Sequence, residues 1–173
     1  MKKITINLSF YNQDYFLRKH VQGWLSWSKE ISKNYSFCII DDCSKNKATD
    51  ILKGIDLSNI DLSIYRVKKD LYCNIAGVRN LSAKQCQTNW MVILDMDTLI
   101  TEKLSRNLLN LIDSDPGICY KFNRKVTNNP FHRKNNLPHP AVCLVRRDDY
   151  WNVGGCDEDL VGSYGQTDPI FWF

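Results

Sequence analysis

Residues 90–98 read WMVILDMDT, and this segment is the strongest single indication of the fold. Its first part, Trp90–Leu94, is an uninterrupted apolar run, which is typical of a strand that is buried on both faces. Two carboxylates, Asp95 and Asp97, follow the run with one residue between them. Strands of this kind occur in sheets covered by helices, so the segment predicts an α/β fold with acidic side chains where this strand ends.

Strand-like and helix-like segments alternate before residue 90, which is the pattern of an open α/β sheet. The predicted strands are rich in β-branched and aromatic residues and cover residues 4–10, 35–40 and 62–67. Spacing of three and four residues places Leu17, Val21 and Trp24 on one face of a helix that follows the first strand. A short helix is predicted through residues 51–55 and another over residues 74–86, and Thr101 is expected to cap a further helix.

The carboxy-terminal part of the chain has a different texture. Residues 123–140 are rich in Asn, Pro and basic residues and show no clear period, so we expect a long loop there. Four of the eight glycines then fall within residues 154–165. We expect one domain over residues 1–173.

Composition excludes several classes of protein. Of the 173 residues, 43% are apolar and 24% are charged, which is the balance of an ordinary globular domain. The longest apolar run, Trp90–Leu94, is far shorter than the roughly 20 residues that a membrane-spanning helix needs. No apolar segment of signal-peptide length follows Lys2 and Lys3. We therefore expect neither a transmembrane segment nor secretion by that route.

Charge and cysteine content are equally moderate. The net charge of +4 comes from 23 Lys and Arg against 19 Asp and Glu, and its densest cluster, within residues 124–134, is expected to be a solvated loop. We do not expect nucleic-acid binding, which favours a basic stripe interleaved with aromatics. The seven cysteines form no CxxC pair, and an odd number of them is typical of reduced thiols in a cytoplasmic setting.

Acidic residues lie where two of the predicted strands end. Asp41 and Asp42 close the second strand, and Asp95 and Asp97 close the fourth. Ligands of open α/β sheets bind at the carboxyl ends of the strands, and paired carboxylates are hard oxygen ligands that suit Mg²⁺ or Mn²⁺. Strand-end carboxylates also face water or cap helices in many proteins, so this spacing alone leaves both interpretations open.

The order of several short motifs resembles that of family 2 glycosyltransferases of the GT-A type, over nearly the whole chain. SFYN at residues 9–12 is similar to the opening motif of that family and implies donor contacts for Ser9 and for Tyr11, whose ring would lie against the nucleobase. IIDDCS at residues 39–44 resembles the second motif, usually Val-Asp-Asp-Gly-Ser, and implies that Asp41 and Asp42 bind the nucleotide. Cys43 replaces the usual glycine.

The resemblance continues through the helix and the strand that follow. Asn74-x-x-Gly77-x-Arg79 is similar to the helix whose arginine approaches the nucleotide, so Arg79 is a candidate donor ligand. Asp95-Met96-Asp97 corresponds to the Asp-x-Asp of the family. It implies Asp97 as the direct ligand of Mn²⁺ or Mg²⁺, with Asp95 nearer the ribose and the metal.

Two later motifs resemble the acceptor side of the same family. GGCDE at residues 154–158 implies acceptor contacts for Gly155, Asp157 and Glu158. YGQTD at residues 164–168 is similar to the segment Tyr-Gly-Gly-Glu-Asp, which supplies the catalytic base, and the matching residue is Asp168. The resemblance thus divides the chain into a donor half, residues 1–115, and an acceptor and base half, residues 116–173.

Taken together, the resemblance implies a Rossmann-like open mixed sheet flanked by helices. It implies metal-dependent, inverting transfer of a sugar from a nucleoside diphosphate sugar, most often a uridine diphosphate sugar, to a hydroxyl of a glycan, lipid-linked or protein acceptor. The expected location is the cytoplasm or the cytoplasmic face of a membrane.

Two departures keep alternatives open. Thr167 stands where the family usually has Glu, and Ile170 stands where a further Asp often occurs. The chain also stops five residues after Asp168, where family members usually continue, so either its apolar end packs against the core or the domain is truncated. A nucleotide-sugar-binding module without turnover is the first alternative. The second is a phosphatase of the haloacid dehalogenase type, whose first motif is similar to residues 93–99.

Overall fold

The structure is a computed structural model that describes residues 1–114, 117, 119–127 and 129–162. Its strands are β1 Ile4–Phe10, β2 Tyr35–Asp41, β3 Leu62–Arg66, β4 Trp90–Leu94, β5 Cys119–Asn123 and β6 Pro138–Arg146. Its helices are α1 Asp14–Leu25, α2 Lys29–Ser32, α3 Ala48–Ile51, α4 Ile75–Gln85, α5 Glu102–Ser114 and α6 Arg147–Asn152, with a 3-10 turn at Glu158–Leu160.

The six strands form one mixed sheet in the order β3-β2-β1-β4-β6-β5. Neighbouring strands from β3 to β4 are parallel, whereas β6 pairs antiparallel with β4 and β5 pairs antiparallel with β6. All five residues of β4 are buried, as the apolar run predicts. The expected open mixed sheet flanked by helices is confirmed.

The core lies on both faces of this sheet because alternate residues of each strand point to opposite sides. One face includes Ile6 and Phe37 and packs against residues of α1 and α5. In its centre the rings of Trp24 and Phe37 stack at 4.5 Å between centroids. Met91 and Ile93 belong to the other face, which packs against α4 and α6. The buried face of α1 contains Leu17, Val21 and Trp24, as the spacing predicts.

Strands β5 and β6 are absent from the sequence expectations. The expected loop over residues 123–140 is correct for its middle, but β5 ends at Asn123 and β6 begins at Pro138. Two prolines within the first residues of β6 disguise the strand, and only residues 141–145 are continuously buried. Thr101 does cap α5, since its hydroxyl accepts the Leu104 N–H at 3.2 Å.

Across the described parts of the chain, no helix combines the length and the apolar character needed to cross a membrane.

Candidate active site

Polar side chains from three strand ends lie along one edge of the sheet. Tyr11 follows β1, Asp42 follows β2, and Asp95 and Asp97 follow β4. Because β2, β1 and β4 are adjacent and parallel, their carboxyl ends share this edge. The fold therefore brings together residues that are more than 80 positions apart in the sequence.

Arg79 connects α4 to the end of β4. Its side chain is only 4% exposed, and its Nη2 lies 3.1 Å from Oδ1 of Asp95, whose side chain is 33% exposed. A charge-assisted hydrogen bond of this kind fixes the orientation of the carboxylate. Asp97 is exposed and is not held in this way, so it is the more available of the two carboxylates for a ligand.

A third side chain comes from β6. One potential ligand atom each of Asp95, Asp97 and His139 lie within 4.8 Å of one another. His139 lies within residues 123–140, the expected loop, and no motif in that stretch singles it out. It reaches the site because β6 runs antiparallel to β4, so that the first residues of β6 lie beside the carboxyl end of β4.

The donor set fits a hard divalent cation through its two carboxylates. His139 is less well prepared, because its Nδ1 accepts the backbone N–H groups of Ala141 and Val142, both at 3.2 Å. A neutral ring then carries its proton on Nε2, which lies 3.3 Å from the hydroxyl of Thr98. Binding a cation through Nε2 would require that proton to move.

His20 lies directly beneath the Asp-x-Asp turn and was not predicted to have a role. It is 1% exposed, and its Nε2 lies 2.8 Å from the carbonyl oxygen of Met96, the residue between the two aspartates. Burial lowers the pKa of His20, so the ring is neutral and donates from Nε2. The signal in the sequence is its position at the apolar face of α1, beside Val21 and Trp24.

The two aspartates after β2 have different environments. Asp41 is 1% exposed and accepts hydrogen bonds from the backbone N–H of Ser44 at 2.8 Å and of Ala48 at 3.0 Å. Its Oδ2 also lies 2.5 Å from Nη1 of Arg66. Both oxygens of Asp41 are thus occupied by the protein itself, which indicates that this side chain shapes the loop between β2 and α3.

Asp42 is the member of this pair that is better placed for a ligand. Its Oδ1 accepts a hydrogen bond from Nδ2 of Asn74 at 3.1 Å, and burial raises its pKa. Cys43, which replaces the usual glycine of the motif, has a φ of 61°. A glycine adopts this left-handed conformation without strain, which is a physical reason for glycine at the equivalent place.

Tyr11 closes the same edge at the end of β1. Its ring is 37% exposed, and its hydroxyl donates to Oδ2 of Asp70 at 3.0 Å. This hydrogen bond raises the pKa of Tyr11. Ser9, within β1, pairs with Ile40 of β2 and is partly buried. Asp70 was not a candidate in the sequence, because nothing local shows that the loop after β3 folds toward Tyr11.

The predicted acceptor segment is held by Asn80, the residue after Arg79. The side-chain oxygen of Asn80 accepts from the hydroxyl of Tyr150 at 2.6 Å and from the N–H of Cys156 at 2.9 Å. Its Nδ2 donates to the carbonyl of Cys156 and to Oε1 of Glu158, both at 2.8 Å. Both the oxygen and the nitrogen of the Asn80 side chain therefore hold this segment against α4.

Two further predicted acceptor residues shape the backbone of this segment. Gly155 has a φ of 72°, and a Cβ at that position would lie 2.7 Å from the side-chain oxygen of Asn80. Asp157 caps the 3-10 turn by accepting the N–H of Asp159 at 3.0 Å. The predicted base, Asp168, lies outside the described residues.

Known structures share this fold at low sequence identity. S. aureus TarS 1–349 superimposes with a TM-score of 0.74 and 15% identity, over 98% of this chain and 53% of that one. TarS 1–349 has also been solved with UDP and with UDP-GlcNAc. The mannosyltransferase PcManGT from Pyrobaculum calidifontis, solved with GDP-Man and Mn²⁺, gives a TM-score of 0.73 and 14% identity, over 98% of this chain and 50% of that one.

A relative is also found by sequence. An uncharacterized glycosyltransferase of Haemophilus influenzae is 21% identical over 128 residues, which are 74% of this chain and 36% of the relative. The chain thus spans about a third of that relative and about half of the two structures. These matches are to glycosyltransferases and therefore favour that class of enzyme over the phosphatase alternative. Since the model for Glycosyl transferase family 2 matches residues 5–161, nearly the full length, the chain belongs to that family.

Proposed function

We propose that the chain is a glycosyltransferase domain that moves a sugar from a nucleoside diphosphate sugar to an acceptor hydroxyl, with a divalent cation and with inversion at the anomeric carbon. The observation that carries this proposal is the group formed by Arg79, Asp95 and Asp97 at the carboxyl edge of a family 2 sheet. Two carboxylates beside a buried guanidinium suit a diphosphate that arrives with its cation.

Each side chain of the donor site has a distinct part in this proposal. Asp97, which is exposed, would hold Mn²⁺ or Mg²⁺ with help from Asp95, and a bound cation would neutralise charge on the departing diphosphate. Arg79 keeps Asp95 oriented at 3.1 Å. Tyr11 offers an exposed ring face for a nucleobase, and Asp42 offers a carboxylate for its edge.

The nucleobase is a further part of the proposal. A uridine diphosphate sugar is the first candidate, and the similar structures hold both UDP and GDP donors, so both deserve trial. The odd number of cysteines, seven, supports a reducing, cytoplasmic compartment.

The acceptor half would complete the reaction. In an inverting transfer the acceptor oxygen forms a bond to the anomeric carbon while the bond to the diphosphate oxygen breaks on the opposite face. We propose that Asp168 takes the proton of the acceptor hydroxyl, an assistance worth roughly 10² to 10⁴ in rate. Gly155, Asp157 and Glu158 would contact a glycan, lipid-linked or protein acceptor.

Titration calorimetry tests the donor site directly. UDP, GDP and dTDP are titrated with and without Mn²⁺, and we expect at least one to bind more tightly with the cation. Asp97→Ala should remove the dependence on Mn²⁺. The matched control is Asp113→Ala, because Asp113 pairs with Lys3 at 2.7 Å, at the other end of β1. Equal affinity with and without Mn²⁺ would reject the metal site.

Measurements of turnover test the proposed base and the proposed inversion. Donor hydrolysis or sugar transfer should be lost in Asp168→Asn, while nucleotide affinity stays as in the wild type. An anomeric configuration of the product equal to that of the donor, measured by NMR, would reject the inverting mechanism. Metal-dependent binding without turnover on any acceptor would favour the binding-module alternative.

A further inference from the structure

Positive charge is concentrated in one segment of the chain. Residues 116–147 contain seven Lys and Arg and no Asp or Glu, while the rest of the chain contains 16 Lys and Arg against 19 Asp and Glu. The net charge of +4 therefore hides a strongly basic segment on a slightly acidic domain. The seven cations are Lys121, Arg124, Lys125, Arg133, Lys134, Arg146 and Arg147.

The centre of this segment is the hairpin loop, residues 124–137, which connects β5 to β6. Its base is closed by two backbone hydrogen bonds of 3.0 Å, from Arg124 to Leu137 and from Asn136 to Arg124. Asn135 braces the interior, since its side chain accepts from the N–H of Val126 at 2.7 Å. It also donates to two carbonyls across the loop, at 3.0 and 2.9 Å. The described part of the loop thus has a defined shape.

An aromatic ring stands at the tip of the hairpin loop. Phe131 is 94% exposed, the highest exposure of any large hydrophobic residue after Met1 in the described part of the chain. Lys125, Arg133 and Lys134 are exposed in the same loop. Within the described residues these three cations form no ion pair with a carboxylate. No carboxylate of the described residues therefore neutralises their charges.

The position of the hairpin loop relates it to the candidate active site. β6 is antiparallel to β4, so the loop leaves the sheet at the edge where Asp95 and Asp97 lie. At its carboxyl end, His139 lies 3.3 Å from Thr98. A surface that binds the loop would therefore face the same edge as the proposed donor site.

We propose that the hairpin loop docks the domain on a membrane surface that contains anionic lipid. Cations near such a surface each contribute a favourable energy that falls off within a Debye length. The exposed ring of Phe131 favours an apolar phase, whereas the cations of the loop favour negative charge. The boundary between headgroups and acyl chains offers both. A nucleic acid would be read by several interleaved aromatics, whereas this loop presents a single ring.

Vesicle sedimentation tests the proposal without any nucleotide or metal, so its result is independent of the proposed transferase activity. Vesicles of phosphatidylcholine alone are compared with vesicles that contain phosphatidylglycerol at roughly a third of the lipid. We expect binding only to the anionic vesicles and its loss at about 1 M salt, where the Debye length is about 3 Å.

Matched variants locate the binding surface. Arg133→Ala with Lys134→Ala should weaken vesicle binding roughly 25-fold, since each cation near the surface contributes about fivefold. Phe131→Ala should weaken it about tenfold. The charge-matched control is Lys29→Ala with Lys33→Ala, two exposed lysines in the segment before β2, toward the opposite edge of the sheet, which should change binding less than about twofold.

Three outcomes would overturn the proposal. The first is equal binding to the two kinds of vesicle, or binding to neither. The second is an equal loss of binding in the control and in the loop variants, which would indicate unspecific attraction. The third is tight binding to a single-stranded polynucleotide with none to anionic vesicles. Thermal melts of each variant show that fold is kept, as expected for residues as exposed as Phe131.

Discussion

Replacing Asp41 with asparagine removes one charge from the interior and changes almost no volume. The carboxylate is 1% exposed and serves three donors: the N–H groups of Ser44 and Ala48 and the guanidinium of Arg66. An asparagine offers one oxygen in place of two, and its NH₂ group would face a donor. The substitution therefore breaks at least one of these contacts and leaves Arg66 without its counter-charge.

The expected loss of stability follows from those contacts. A hydrogen bond that involves a charged group contributes about 1.5–3 kcal/mol. The backbone donors are buried and count fully, whereas the side chain of Arg66 is 32% exposed and is partly screened by solvent. We expect the free energy of unfolding to fall by about 3 kcal/mol. For a chain of this length that corresponds to a melting temperature lower by roughly 6–12 °C.

Asp42→Asn is the matched control, because it makes the same chemical change one residue later. Burial raises the pKa of Asp42, so its ionised form is disfavoured in the folded state. An aspartate of that kind contributes stability at low pH that is lost as the pH rises through its folded pKa. At pH 7 the neutral asparagine should leave the melting temperature unchanged or slightly higher, while nucleotide affinity falls. If Asp41→Asn melts like the wild type, the assignment of a structural role to Asp41 and a ligand-binding role to Asp42 is refuted.

Three further predictions concern His20 and Gly155. His20→Phe should weaken Mn²⁺ binding about tenfold in calorimetry, because groups that orient metal ligands typically contribute 10–100-fold to metal affinity. His20→Gln keeps a hydrogen-bond donor at this position and should recover part of the lost affinity. Equal affinities for both variants would show that the bond to Met96 has no such effect. Since burial lowers the pKa of His20, the unfolded chain binds the extra proton, and the free energy of unfolding should fall as the pH drops below about 6.5, a slope that His20→Gln removes. Gly155→Ala should lower the free energy of unfolding, measured in urea, by about 2 kcal/mol, because φ is 72° and the new Cβ would lie 2.7 Å from Asn80. The control Gly54→Ala should cost about 1 kcal/mol, because φ is 85° there but the space around the residue is open.

Local sequence patterns were sufficient to predict the parallel part of the sheet. The apolar run Trp90–Leu94 is recognisable because a strand buried on both faces has no polar position. The acidic residues at its end follow from the same segment, and the parallel neighbours explain why Asp42 shares their edge. The helix spacing of Leu17, Val21 and Trp24 was likewise sufficient for α1.

The remaining features depend on contacts between distant residues. His139 joins the site only through the antiparallel pairing of β6 with β4, and two prolines obscure that strand. The partner of Asp41 is Arg66, 25 positions later, and the partner of Tyr11 is Asp70, 59 positions later. No local period marks such pairs, because the sequence shows spacing along an element and not the register between elements.

Helix α4 connects the two halves of the proposed enzyme through adjacent side chains. Arg79 and Asn80 point in directions about 100° apart, as consecutive residues of a helix do. One therefore reaches Asp95 at the end of β4, and the other reaches Cys156 and Glu158. The amide of Asn80 makes all four hydrogen bonds that it can make. A shift of α4 that moved Asp95 would consequently break bonds to the predicted acceptor segment, so the positions of the two proposed sites are set by one rigid element.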